Sequence, residues 1–302
     1  MNELALRDVR EGGQWSTSQR LKNDALYGLA SAALWAARPW PRRALAVVGR
    51  NLGRLAHLLL GRERRTALAN VGLAFPYLPA DERRALARRS FVELGSLLGD
   101  TVAALTRSFA PLPFDEASRA TLRNALAEGR GVVLPSAHLG PWERVAATLV
   151  AAGFPLTTLV RESYDPRFDA LLARLRSGSK VEFIPRGHAG AAMRVVRALR
   201  KGRVLGAPMD LRSRVPSIPS TLLGVPAPTA VGPARIALRT GAAVVVATVE
   251  RTPAGRLELT ATRLGLDDLK DEVALTQAIN DELSRRIRTA PELWPWMHPR
   301  FL

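Results

Sequence analysis

The chain contains no cysteine, so disulfides, thiolate metal sites and a cysteine nucleophile are all excluded. Its four histidines, His57, His138, His188 and His298, stand far apart. None is paired at the four-residue spacing that sets two ligands on one helix face, and no metal is expected. There is no Gly-x-Ser-x-Gly elbow, the strand-to-helix turn on which many serine hydrolases present their nucleophile. Long apolar runs are also missing. Ala25 to Ala37 is uncharged but short of the roughly 20 residues needed to span hydrocarbon. The longer uncharged run, Val215 to Ala234, carries five prolines and cannot be one helix. Acidic residues Glu3, Asp8, Glu11 and Asp24 precede the first apolar segment and Arg38-Pro39-Trp40-Pro41-Arg42-Arg43 follows it, the reverse of a cleavable signal peptide. Neither a recognition helix with zinc ligands nor an aromatic β-platform is legible, and no nucleic-acid partner is expected.

What is present is a chain of 302 residues, 47% hydrophobic, with 44 Lys and Arg against 27 Asp and Glu and a formal charge of +17. That length and apolar content suffice for one large core, and no Ser/Gly/Pro-rich or single-charge stretch marks a flexible linker. We expect a helical, membrane-associating segment over 1–75 and a catalytic domain over 76–302. Part of the basic excess belongs to solvated helix faces. The remainder favours an anionic partner such as an acidic lipid surface, a phosphorylated substrate or an acidic carrier protein. Trp35 and Trp40 beside arginines, followed by the apolar-basic pattern of Ala44 to Leu60, suit a helix pair lying among lipid headgroups; a helical hairpin packed on the core is the alternative.

Asp81 to Leu98 has apolar residues three and four apart with arginines on the other face, which predicts an amphipathic helix. Beyond it the texture changes. Short apolar or β-branched runs at 131–137, 156–162, 180–185, 203–208 and 242–250 alternate with helical stretches at 141–152, 165–176, 189–201 and 231–239. Such alternation predicts an α/β fold, a central mostly parallel or mixed sheet flanked by helices. Arg256 to Arg263 reads as an added edge strand and Leu269 to Arg288 as a closing helix.

Chemistry in such sheets gathers where strands hand over to helices, and the octapeptide SAHLGPWE, residues 136–143, occupies that kind of place. His138 stands five residues ahead of Glu143. The spacing alone is a weak signal. On one continuous helix the two side chains would diverge by about 140°, so a cooperating pair needs the histidine outside the helix. Gly140 as N-cap and Pro141 at the first helical position would supply that break. Glu143 could then accept a hydrogen bond from one imidazole nitrogen while the other takes a proton from an attacking hydroxyl; alternatively, Glu143 caps its own helix. Arg161 ends the next strand, where it could clamp an anionic group, and Asp210 ends RVLGAPMD in the same topological position. Ser136 is the one serine close to His138.

Taken together, the chain resembles the bacterial lipid A biosynthesis acyltransferases, within the lysophospholipid acyltransferase superfamily. The elements that carry the resemblance are NVGLAFPYLPADERRALARRSF, HLGPWE, LVRESYDPRFDALLARLRSG, GAPMDLRSRVPSIPSTLLGVPAPTAVGPARIALRTGAAVV and PELWPWMHPRF, in that order from about residue 22 onward. The resemblance implies transfer of a fatty acyl group from a thioester, on acyl carrier protein or coenzyme A, to a hydroxyl of a membrane glycolipid at the cytoplasmic face of the inner membrane. The thioester is a co-substrate, and no cofactor is implied. It assigns His138 as general base, Glu143 as its partner, and Arg161 and Asp210 to the substrate pocket. Two departures fall in the acceptor and acyl-chain region: Asp210-Leu211 where relatives commonly have Asp-Gln, and Leu222-Leu223-Gly224 where they often have paired phenylalanines before glycine. Other readings are a different membrane glycolipid as acceptor, or a basic peripheral membrane protein without catalysis.

Overall fold

The computed structural model describes residues 14–106, 110–160, 163, 165–177, 181–185, 190–212, 215–266, 269 and 271–301. Four helices lead: α1 (Thr17–Ala37), α2 (Arg42–Leu59), α3 (Gly61–Ala74) and α4 (Ala80–Thr106). Ser16 and Gln19 form a reciprocal capping box that starts α1, satisfying two donors the first turn leaves free. α2 and α4 meet along Gly49, Gly53, Gly95 and Gly99, where an added Cβ on any of the four would collide with a carbonyl oxygen of the other helix. Only residues without side chains permit that approach. α4 therefore runs on past the predicted end at Leu98, because Gly99 belongs to the seam. α3 is part of the main core through Ala67, Val71 and Ala74.

After α5 (Glu116–Ala127), capped by Asp115, the α/β alternation begins. In chain order it runs β1 (Val132–Ser136), α6 (Trp142–Ala151), β2 (Leu156–Val160), α7 (Pro166–Ser177), β3 (Glu182–Pro185), α8 (Ala191–Arg200) and β4 (Val204–Pro208). Two small ribbons follow, β5 (Ser217–Ile218) with β8 (Thr229–Ala230) and β6 (Thr221–Leu222) with β7 (Val225–Pro226). Leu223 turns the inner ribbon at φ 58°, an uncommon conformation for a residue with a branched side chain. Its N–H is held by Ser284 Oγ at 2.7 Å. The chain closes with α9 (Gly232–Thr240), β9 (Ala243–Arg251), β10 (Leu257–Arg263), α10 (Glu272–Thr289) and a single 3₁₀ turn, Pro291–Leu293.

The main sheet has the order β10-β9-β1-β4-β2-β3. Every neighbouring pair is parallel except β9 with the edge strand β10. Val132, Val133 and Leu134 of β1 and Ala243 to Val249 of β9 are buried, since helices cover both faces and leave no solvent side to encode as alternation. The expected strands and the added edge strand are all present. α5 and the ribbons were not anticipated; the ribbons are two-residue strands, below the length at which a period can be read.

Candidate active site

Parallel pairing of β1 with β4 aligns Ser136 with Pro208. Two residues beyond each strand end, His138 and Asp210 therefore face each other, although 72 positions separate them. Asp210 is fully buried. Its Oδ2 accepts the His138 backbone N–H at 2.9 Å and the Trp294 indole N–H at 2.8 Å, and its Oδ1 lies 2.8 Å from His138 Nδ1. An ionised carboxylate can only accept, so Nδ1 carries the proton and Nε2 is left to take another. Burial pushes the imidazole pKa down, but the Asp210 charge, the hydrogen bond to it and the Glu143 charge together hold it above 6.5. Burial likewise raises Asp210, and attraction to His138 with the bonds from His138 and Trp294 brings it below 3.8. Both directions describe a pair that favours imidazolium beside carboxylate.

The tautomer-fixing bond expected of Glu143 is thus made by Asp210. The reason is the strand order: β4 lies directly against β1, so its terminal acid reaches the histidine from the neighbouring strand. Glu143 sits in the first turn of α6 and acts on the imidazole through its charge. The helix starts one residue later than expected. Pro141 precedes it, and Gly140 takes φ 62° with its N–H donating to Leu293 O at 3.1 Å. A Cβ at Gly140 would press on Val249 Cγ2 at 2.7 Å, so backbone conformation and packing both require glycine there. Arg161 lies outside the described residues.

His138 opens onto a cleft of about 240 Å³ between α6 and the sheet, walled by Leu134, Leu149, Leu156, Leu159, Val181 and Phe183. Ser136 and Glu143 also line it, and the Trp142 ring meets the imidazole edge-on at 5.3 Å. Asn70 of α3 donates to the carbonyls of Trp296 and His298, and the buried Arg300 donates to Pro228 O at 2.8 Å and Thr229 Oγ1 at 2.8 Å. Those bonds hold the C-terminal segment so that Trp294 reaches Asp210. Nothing in PELWPWMHPRFL distinguishes that indole from a tail packed into the core. Among the described residues no group of three His, Asp or Glu is placed to hold a metal.

A histidine bonded to a buried carboxylate and facing an apolar cleft is an arrangement able to move a proton beside an apolar group. Comparison with known proteins identifies the class: residues 14–302 match the family model described as bacterial lipid A biosynthesis acyltransferase, and the chain belongs to that family of O-acyltransferases. It is 27% identical over 282 residues to the lipid A biosynthesis palmitoleoyltransferase of Escherichia coli (strain K12), covering 91% of this chain and 90% of that protein. It is equally similar to the lipid A biosynthesis acyltransferase of Shigella flexneri. The lipid A biosynthesis lauroyltransferase of Escherichia coli (strain K12) is 26% identical over 284 residues, with 90% of each chain covered.

Proposed function

We propose that the protein transfers a fatty acyl group from an acyl thioester, carried by acyl carrier protein or coenzyme A, to a hydroxyl of a lipid A precursor or closely related membrane glycolipid. The observation that carries this reading is the His138–Asp210 pair at the mouth of an apolar cleft. Nε2 of His138 takes the proton of the acceptor hydroxyl as its oxygen attacks the thioester carbonyl. The tetrahedral intermediate collapses by breaking the C–S bond, and the imidazolium returns the proton to the leaving sulfur. Asp210 holds the tautomer and stabilises the imidazolium, while Glu143 adds negative charge at the same ring. Arg161 would bind an anionic group of a substrate. The acceptor brings the nucleophile, so no acyl-enzyme forms and no cofactor takes part. The reaction belongs at the cytoplasmic face of the inner membrane, where both the carrier and a basic, apolar-faced N-terminal helix pair have their partners.

The test is transfer of label from an acyl thioester to glycolipid extracted from Gram-negative membranes. Wild type yields labelled glycolipid. His138→Ala yields none above background; because it also takes the charged partner from the buried Asp210 carboxylate, a lower Tm is expected, and transfer is assayed at a temperature where the variant is folded. Release of free fatty acid without acylated lipid would make the protein a hydrolase; neither product would make it a binding protein. Transfer at a tenth of the wild-type rate in His138→Ala would remove that residue from the role of base.

A further inference from the structure

A second apolar cavity lies on the other side of the start of α6. It measures about 290 Å³ and is walled by Leu94, Leu97, Leu98 and Thr101 of α4 together with Pro141 and Trp142. Trp142 and Glu143 line both this cavity and the one that opens at His138. Arg144 and Asp100 also line the second cavity; they are bonded to each other at 3.3 Å, and Arg144 donates to Ala110 O at 2.9 Å. The apolar wall is thus provided with a polar border.

We infer that this cavity holds an acyl chain that the acceptor glycolipid already carries, while the cleft beside β2 and β3 takes the chain being transferred. The inference rests on the proposed function. Three observations support it. Both apolar spaces are bordered by Trp142 and Glu143, beside the base, near where hydroxyl and thioester must converge for direct transfer. α4 forms one wall of the second cavity while its glycine seam carries α2, whose Val47, Val48, Leu52, Leu55, Leu58 and Leu59 are exposed; Leu98 of the cavity wall is itself 54% exposed. Exposed apolar side chains thus stand on both of these packed helices, on the face suited to lipid and at the cavity wall, which would lower the cost of drawing a chain from the bilayer toward the cavity. The Asp100–Arg144 pair leaves the carbohydrate end a polar edge rather than an apolar wall.

The decisive experiment uses two photoreactive probes with the full-length wild-type protein in mixed micelles. One is an acceptor glycolipid with a diazirine in a chain it already bears; the other is an acyl thioester with a diazirine in the chain to be transferred. The glycolipid probe is expected to label the α4 peptide spanning residues 94–101, and the thioester probe to label β2 and β3 around Leu159 and Phe183. Leu97→Trp, which fills the second cavity, is expected to raise the acceptor KM about tenfold while the donor KM stays within twofold. Labelling of α4 by the thioester, equal labelling by a phospholipid with the same diazirine chain, or a Leu97→Trp effect confined to the donor KM would each overturn the assignment. Acylation of the glycolipid probe without α4 labelling overturns this inference alone; absence of acylation by wild type overturns the proposed function and this inference with it.

Discussion

Asp210 remains charged while wholly out of water because three donors converge on its two oxygens, and two of those come from the residue it orients. Replacing it with Asn keeps the shape, removes the charge and leaves the imidazole free to adopt the wrong tautomer. We expect Asp210→Asn to lower kcat on the order of 10²–10⁴-fold, against about tenfold for Glu143→Gln, which acts on His138 through charge and leaves the tautomer in place. The pH profile separates the two roles. The base must be neutral to act, so the acidic limb of kcat/KM is expected above 6.5 in wild type, where the carboxylates outweigh burial. Without the Asp210 charge burial prevails, and the limb should move to lower pH even as the maximum falls. A limb that stays in place would show that Asp210 does not control the imidazole. The same pair enters stability with a defined sign. A raised histidine pKa contributes fully below 6.5 and is lost as pH rises through the folded value, whereas a lowered aspartate pKa contributes above 3.8 and is lost as pH falls. The wild-type advantage in Tm over Asp210→Asn should therefore be largest between those two values.

The glycine seam between α2 and α4 decides how the N-terminal helices attach. Helices whose backbones approach this closely are held by extensive van der Waals contact and Cα–H···O interactions, both of which fall off steeply if the axes separate. Gly95→Val would drive a branched side chain into Gly49 O, and overpacking of this kind costs about 1–3 kcal/mol. The expected outcome is a Tm lower by a few degrees and new tryptic cleavage at Arg50 or Arg54 as α2 detaches. Gly28 of α1 has nothing within 4 Å of an added Cβ, so Gly28→Ala should leave cleavage unchanged and hold or slightly raise Tm. Equal cleavage of wild type and Gly95→Val would mean that the seam does not secure α2.

At the scale of the whole molecule, exposed large apolar residues concentrate on α1 and α2, including Trp35 at 70% and Leu59 at 71% exposure. No described helix is long and apolar enough to cross a membrane. α1 is tied to the body by Arg167, whose guanidinium lies over the Trp15 and Tyr27 rings and bonds Asp24 at 2.7 Å and Asp165 at 2.9 Å. Binding of α1 and α2 to a bilayer would thereby set the height of the reaction site above it. Leu52→Glu combined with Leu55→Glu should reduce co-sedimentation with anionic vesicles, and raised salt should weaken binding of the wild type because part of the attraction is Coulombic. Wild-type binding that survives both high salt and carbonate would instead indicate insertion into the hydrocarbon.

Local sequence was sufficient wherever one interaction dominated. Val132 to Leu134 and Ala243 to Val249 read as strands because burial on both faces demands unbroken apolar runs, and His138 could be placed on a loop because Gly140 and Pro141 interrupt the chain before α6. The order of the long motifs was enough to indicate the family. Tertiary structure alone decided which acid orients the histidine. A local reading pairs His138 with Glu143, five residues on, but the insertion of β4 between β1 and β2 brings Asp210 to the ring instead. The same holds for Trp294, whose role depends on Asn70 and Arg300 holding the C-terminal segment, and for the glycines of α2 and α4, whose absent side chains acquire meaning only when the helices meet. Periodicity records how each residue is buried; which buried residues become neighbours depends on strand order and helix docking, which no short stretch of this chain encodes.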